Sequence, residues 1–292
     1  MQTDLKFPKI YRLGHKDVKD ILDGPVEVTE KIDGSQISFG IIEKKLVVRS
    51  KNTEINPADV PNQFINSYQS IQRIFSEGRL EDGYFYYGEA VRGLRHNVIT
   101  YARIPKGYIA LYSVRKPDGT FEPDFKVIEN TANSFGIDPV PLKHLGTISV
   151  QELEDILKQD SFYGPRMEGL VIKSSRKKFE MAKLVRDDYK EVSRHVIKNS
   201  LPLEQRITEL FLQYKTNARW DKAIQHYLDA GNSPDDKLVI PSLIKEVTQD
   251  ILTEEGETIK NDLFAFFRKQ FIRTVTEGLA DYYFNRENRD ED

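Results

Sequence analysis

The chain has 292 residues, 39% of them apolar and 11% aromatic, enough for one large domain with an appendage or for two domains. It contains no cysteine, which excludes disulfides, a thiolate nucleophile and thiolate zinc sites and makes a reducing cytoplasm the expected setting. No apolar run of about 18 residues exists to span a membrane, and Met1 to Lys6 lack the apolar core of a leader. The net charge of -3 hides an asymmetry: residues 1–200 hold 31 Lys and Arg against 28 Asp and Glu, whereas 201–292 hold 12 against 18. The front of the chain is suited to meeting a polyanion in a local groove, although its charge alone does not mark a nucleic-acid binder.

In chain order, Val26 to Thr29 alternates as a strand and leads into Glu30-Lys31-Ile32-Asp33-Gly34. Gln36 to Ile42 and Leu46 to Arg49 form an expected hairpin around Glu43-Lys44-Lys45. Pro61 to Ser76 has a helical pattern. Tyr84 to Tyr87 is an aromatic strand, and Tyr108 to Val114 is another, closed by the turn Lys116-Pro117-Asp118-Gly119. Helices are expected over 126–134 and 150–159, the second capped by Ser149. Gly169 to Ser174 and Phe179 to Val185 form a further hairpin with Ser175 to Lys178 at its tip. Beyond residue 200 the apolar spacing turns helical (Ile207, Leu210, Phe211, Tyr214; Leu263, Phe266, Phe267), with Pro202, Asn232-Ser233-Pro234 and Gly256 as punctuation. The expected organisation is α+β: a domain over 1–200 of antiparallel sheets with flanking helices, a small all-α domain over 201–285 and a charged tail over 286–292.

Five short segments carry polar groups at strand ends. Lys31-Ile32-Asp33-Gly34 is either a strand closed by a polar turn or a lysine presented to a phosphate, with glycine allowing close approach. Arg49, after Val47-Val48, can fork onto phosphate oxygens or simply be solvated. Glu89, after Tyr86-Tyr87-Gly88, reads as a surface carboxylate or as a ligand for a hydroxyl or a metal. Glu168 and Lys173 bracket the apolar strand Gly169 to Ile172, suited to a hard cation and a phosphate respectively, or to a buried strand with polar ends. Lys183 interrupts Met181 to Val185 and must snorkel or find an anion. The five histidines, at 15, 96, 144, 195 and 226, show no ligand spacing, which argues against a metallohydrolase.

Taken together and in this order, these segments resemble the covalent nucleotidyltransferases, the superfamily of DNA ligases, RNA ligases and capping enzymes. Within it the chain looks most like ATP-dependent RNA ligases of the phage nick-sealing type, over about residues 5–190. Phe7-Pro8-Lys9-Ile10 and the stretch from Leu94 to Tyr108 share the likeness. The resemblance implies a nucleotidyltransferase (ATP-grasp-like ligase) domain acting in RNA repair. By this likeness Lys31 takes AMP from ATP, Glu30 reads the adenine amino group, and Asp33 and Gly34 complete the motif. Arg49 contacts phosphate or ribose, Glu89 binds the ribose edge and Tyr112 stacks on adenine. Glu168 holds Mg²⁺ or Mn²⁺, while Lys173 and Lys183 cradle phosphates. The implied partner is RNA with 5′-phosphate and 3′-hydroxyl ends, and the expected state is a monomer. Two departures stand out. Met181 occupies a place usually held by a lysine, which gives Lys183 or Arg186 more of the phosphate binding. Gln36 stands where nick-sealing relatives have asparagine. An ATP-dependent DNA ligase and a non-catalytic nucleic-acid-binding relative are the alternatives.

Overall fold

The computed structural model describes residues 5–96, 99–174, 179–186, 189, 202–230, 232–233 and 238–284. The hairpin tip at 175–178 and the tail at 286–292 lie outside them. Contacts divide the chain into two units, 1–239 and 240–292. The expected helical stretch that begins at 201 spans this division.

The first unit is built on two five-stranded sheets. The first contains β1 (Tyr11–Arg12), β2 (Val26–Lys31), β8 (Leu142–Gly146), β9 (Gly169–Ser174) and β10 (Met181–Val185), in the order β1-β10-β9-β2-β8. The second contains β3 (Ser35–Ile42), β4 (Lys45–Ser50), β5 (Phe85–Ala90), β6 (Ile109–Arg115) and β7 (Asp138–Pro139), in the order β4-β3-β5-β6-β7. All pairings are antiparallel except those of the two-residue strands β1 with β10 and β7 with β6. The expected hairpins are present: Ile42 faces Lys45, with Glu43 and Lys44 both at positive φ in the two-residue turn, and Met181 faces Lys173.

Each sheet buries one face under helices. Ile37, Phe39, Val48, Tyr86, Leu111 and Val114 of the second sheet pack on α1 (Ile65–Ser76) through Tyr68, Ile71 and Ile74 and on α2 (Phe125–Phe135) through Ile128, Ala132 and Phe135. Ile71 and Ile74 are fully buried, and each contributes on the order of 1.5–3 kcal/mol by leaving water. Val26, Val28, Leu170, Ile172 and Ala182 of the first sheet pack with Leu153 of α3 (Val150–Leu157). That helix starts where its sequence indicates, because Ser149 and Glu152 cap each other's backbone amides. Alternation along a strand then turns the opposite faces, which carry the polar residues, away from the helices.

Two further helices, α4 (Leu203–Leu212) and α5 (Asn217–Asp229), belong to the first unit. The second, from Ile240 onward, holds all but the first residue of α6 (Val239–Thr276) together with α7 (Leu279–Phe284). Gly256, expected to interrupt a helix, lies inside α6. Its site is open, with no neighbouring atom within 4 Å. A glycine inside a helix costs only about 1 kcal/mol, which the remaining residues absorb. No helix among the described residues is long and apolar enough to cross a membrane.

Candidate active site

The chain leaves the first sheet and enters the second at the turn Ile32-Asp33-Gly34, between β2 and β3. Lys31 is the last residue of β2, opposite Gly169 at the start of β9. Strand register places Lys31, Thr29 and Glu27 on one face with Val171 and Lys173 of β9 and with Lys183 and Met181 of β10. This face is opposite the apolar cluster that meets α3.

At the open end of that face Lys31 Nζ donates to Glu168 Oε1. The two side chains are 26% and 13% exposed, so the pair is largely sheltered. Burial by itself pushes the Lys31 ammonium toward losing its proton. The Glu168 carboxylate outweighs that effect, with help from Glu89 and Asp33, and holds the lysine above its ordinary value. Glu168 is itself raised, by burial first, against the lowering effects of Lys31 and Lys183. Its second oxygen, Oε2, is buried with no hydrogen-bond partner.

The residues on either side of Lys31 are tied down elsewhere. Asp33 accepts from the Ile99 amide at 2.7 Å through Oδ2, and its own amide donates to the Tyr101 hydroxyl at 2.7 Å. Glu30, fully buried, accepts from Ser161 Oγ, from the Phe162 amide at 3.0 Å and from Lys143 Nζ at 3.3 Å. Adjacent strand residues point to opposite faces, so the Glu30 carboxylate lies on the far side of β2 from the Lys31 amine. Gly34 is required for packing: a Cβ there would stand 2.5 Å from the Ala90 carbonyl oxygen and 2.7 Å from Glu89 Cγ.

The second sheet supplies the facing wall. Glu89 lies opposite Gln36, and Arg49 lies opposite Ser38, both on the face away from the α1 and α2 cluster. Burial raises the Glu89 carboxyl to about 8, with Lys31 opposing the shift and Glu168 and Asp33 adding to it. The β5–β6 register slips between Tyr87 and Gly88, which face Ser113 and Leu111, leaving Tyr112 as the extra residue. Such bulges re-aim a side chain, and Tyr112 shares this side with Glu89. Phe7 packs on it edge-on at 5.0 Å between ring centroids and also meets Tyr87 at 5.1 Å.

Lys31, Glu168, Glu89 and Asp33 therefore form one electrostatic cluster, with Lys183 close enough to act on Glu168, and Glu89 close enough to act on Tyr112. Lys173 stands further along the same face. Its Nζ lies 3.5 Å from Glu27 Oε1 and 3.4 Å from the Glu122 carbonyl, and its side chain is only 8% exposed. Arg186 donates to the Leu157 carbonyl at the end of α3, at 3.1 Å. Sequence reading passed over Tyr101, Ser161 and Lys143. They hold Lys31's neighbours through hydroxyls, a backbone amide and a surface-type lysine, which carry no motif. One signal was available: Glu30 and Lys31, adjacent in a strand, cannot share a face.

A lysine at the crossing between two sheets thus stands among carboxylates from both of its sides, a mixed-charge setting suited in chemistry to a phosphate and a cation. A family model described as RNA ligase matches residues 24–190, more than half of the chain, and the chain belongs to the RNA ligase family. Among solved structures it is similar to a lysine-to-alanine variant of Naegleria gruberi RNA ligase with ATP and Mn, at 17% identity and a TM-score of 0.51. A glutamate-to-alanine variant of the same enzyme with AMP and Mn matches at 17% identity and 0.52. Each alignment covers 65% of this chain and 58% of the other, so this chain spans little more than half the length of those relatives. The likeness is one of fold. Comparison with curated proteins gives no match.

Proposed function

We propose that this chain is an ATP-dependent RNA ligase that joins 3′-hydroxyl and 5′-phosphate ends through an adenylylated lysine at position 31. The observation that carries this reading is the sheltered Lys31–Glu168 pair at the crossing between the sheets, with Glu168 Oε2 buried and unbonded. In the first step Lys31 Nζ gives up a proton and forms a bond to the α-phosphorus of ATP, and pyrophosphate leaves. In the second an RNA 5′-phosphate oxygen displaces Lys31 and takes the AMP. In the third a 3′-hydroxyl attacks that phosphate and AMP departs. These displacements depend on alignment and charge neutralisation more than on covalent chemistry from other side chains.

Glu168 fits a divalent cation, Mg²⁺ or Mn²⁺, because a buried carboxylate oxygen without a partner calls for one. Among the described residues no cluster of three or more His, Asp or Glu side chains forms a protein cage, so water and the nucleotide's own phosphates would complete the shell. Bound there, the ion supplies neutralising charge for the triphosphate. Lys183, on the same face as Lys31, steadies the phosphates, as does Arg49 from the facing wall. Glu89 accepts from the ribose hydroxyls, and Tyr112 offers its ring to adenine. Lys173 serves the face by neutralising Glu27. With the Glu30 carboxylate committed to Ser161, Phe162 and Lys143, its part is to fix β2, and adenine discrimination falls to the backbone around Lys31.

The test is incubation of the full chain with labelled ATP and Mg²⁺, followed by nicked RNA. Covalent label on the protein, chased into RNA and released as a sealed strand, is expected. Failure of Lys31→Ala to reduce the label would reject the assignment.

A further inference from the structure

Two loops beside the Lys31 turn are bonded into one surface. The Tyr163 carbonyl accepts from the Ala102 and Arg103 amides at 2.7 and 3.1 Å. Gly164 lets them approach, since a Cβ there would stand 3.1 Å from the Ala102 nitrogen. On this surface the Arg103 guanidinium lies 3.8 Å from the centre of the Phe162 ring. Its orientation is set by two hydrogen bonds to the Phe162 carbonyl, from Nε at 3.0 Å and Nη2 at 2.8 Å. Phe162 is nonetheless 52% exposed, and Arg103 is exposed as well. A large apolar ring held in water by a locked guanidinium satisfies no core.

The same loops are built into the support of Lys31. The Phe162 amide donates to Glu30, and the Ile99 amide and Tyr101 hydroxyl hold Asp33. Their sequence is also one-signed: 91–106 and 161–167 contain Arg92, Arg95, Arg103, Lys106 and Arg166 and no carboxylate.

We propose that Arg103 and Phe162 form a platform on which a base of the RNA substrate stacks, with the adjoining cations meeting its backbone. The proposal rests on the ligase reading for the identity of the strand. Bases stack on aromatic rings and on guanidinium planes whatever their sequence, and a paired ring and guanidinium offer both. A platform bonded through Phe162 to Glu30, the residue before Lys31, and lying on the loop that holds Asp33, keeps the docked strand in a set relation to the AMP that the lysine carries.

Binding of a labelled nicked RNA duplex to the full chain, measured by fluorescence anisotropy without ATP, tests this directly. Phe162→Ala is expected to weaken Kd by roughly five- to a hundred-fold, the loss typical of one stacked base. Phe162→Trp is expected to bind as tightly as the wild type. Arg103→Ala is expected to weaken binding as well, because it removes the guanidinium plane and frees the Phe162 ring. Adenylylation with ATP stays unchanged in all three. Wild-type RNA affinity in Phe162→Ala overturns the platform, and so does a parallel loss of adenylylation, which would make these residues mere supports of Lys31. If the wild-type chain takes no label from ATP yet binds RNA through Phe162, the ligase reading fails and the platform stands.

Discussion

Lys31 and Glu168, 137 residues apart in sequence, meet where β2 and β9 begin to diverge, the lysine donating to one carboxylate oxygen while the other has no partner. The pairing keeps Lys31 cationic, so the adenylylation proposed for it requires that Glu168 be drawn off the amine. In Glu168→Gln the largest influence raising Lys31 is gone, and the amine loses its proton more readily. We expect faster modification of Lys31 by an amine reagent in that variant, read by peptide mass spectrometry, together with loss of ATP-dependent labelling. Lys31→Arg is expected to take no label at all, because guanidinium stays protonated.

Glu89 gives the fold a pH signature. Its carboxyl is raised from 4.5 to about 8 in the folded chain, so the folded state binds the proton more tightly than the unfolded one. The stability this contributes is complete below about pH 4.5 and is lost as pH rises through about 8. Glu89→Gln removes the titration. Its Tm relative to wild type is expected to rise between pH 5 and 8.5, and a parallel pair of curves would refute the assignment.

The Lys173–Glu27 pair separates structural support from phosphate binding. Glu27 is raised by burial, with Lys173 the chief influence pulling it back. Lys173→Ala strands that carboxyl and raises it further. The deficit in stability is small in acid, where Glu27 takes a proton, and grows above its folded pKa toward about 3–5 kcal/mol. Thermal denaturation across pH measures it. Loss of ATP labelling with an unaltered Tm would give Lys173 a direct hold on the nucleotide.

Tyr101 and Asp33 hold the crossing between the sheets. Tyr101→Phe leaves the buried Asp33 amide without its acceptor and is expected to cost about 1–3 kcal/mol. Asp33→Ala leaves the Ile99 amide in the same position. Denaturant unfolding gives the stability loss, and labelling at saturating ATP reports how far Lys31 has shifted. The rate is expected to fall in both, because small misplacements of a nucleophile are costly.

Local chemistry was legible along the chain. The hairpin from Ser35 to Ser50, the Ser149–Glu152 cap and the strand carrying Lys31 all announce themselves through alternation and turn residues, because near-neighbour sterics and hydrogen bonds decide them. Alternation alone also separates Glu30 from Lys31. The order of the motif residues is by itself enough to point to the family. Tertiary structure decided which of those residues meet. Strand register, a long-range quantity, sets Lys31 against Glu168 and leaves Lys173 beside Glu27 further along the same face. A one-residue slip between β5 and β6 turns Tyr112 toward the cleft. Asp33 and Glu30 each accept from a backbone amide, at Ile99 and Phe162, a group that every residue but proline owns, so no residue type could have signalled those two bonds.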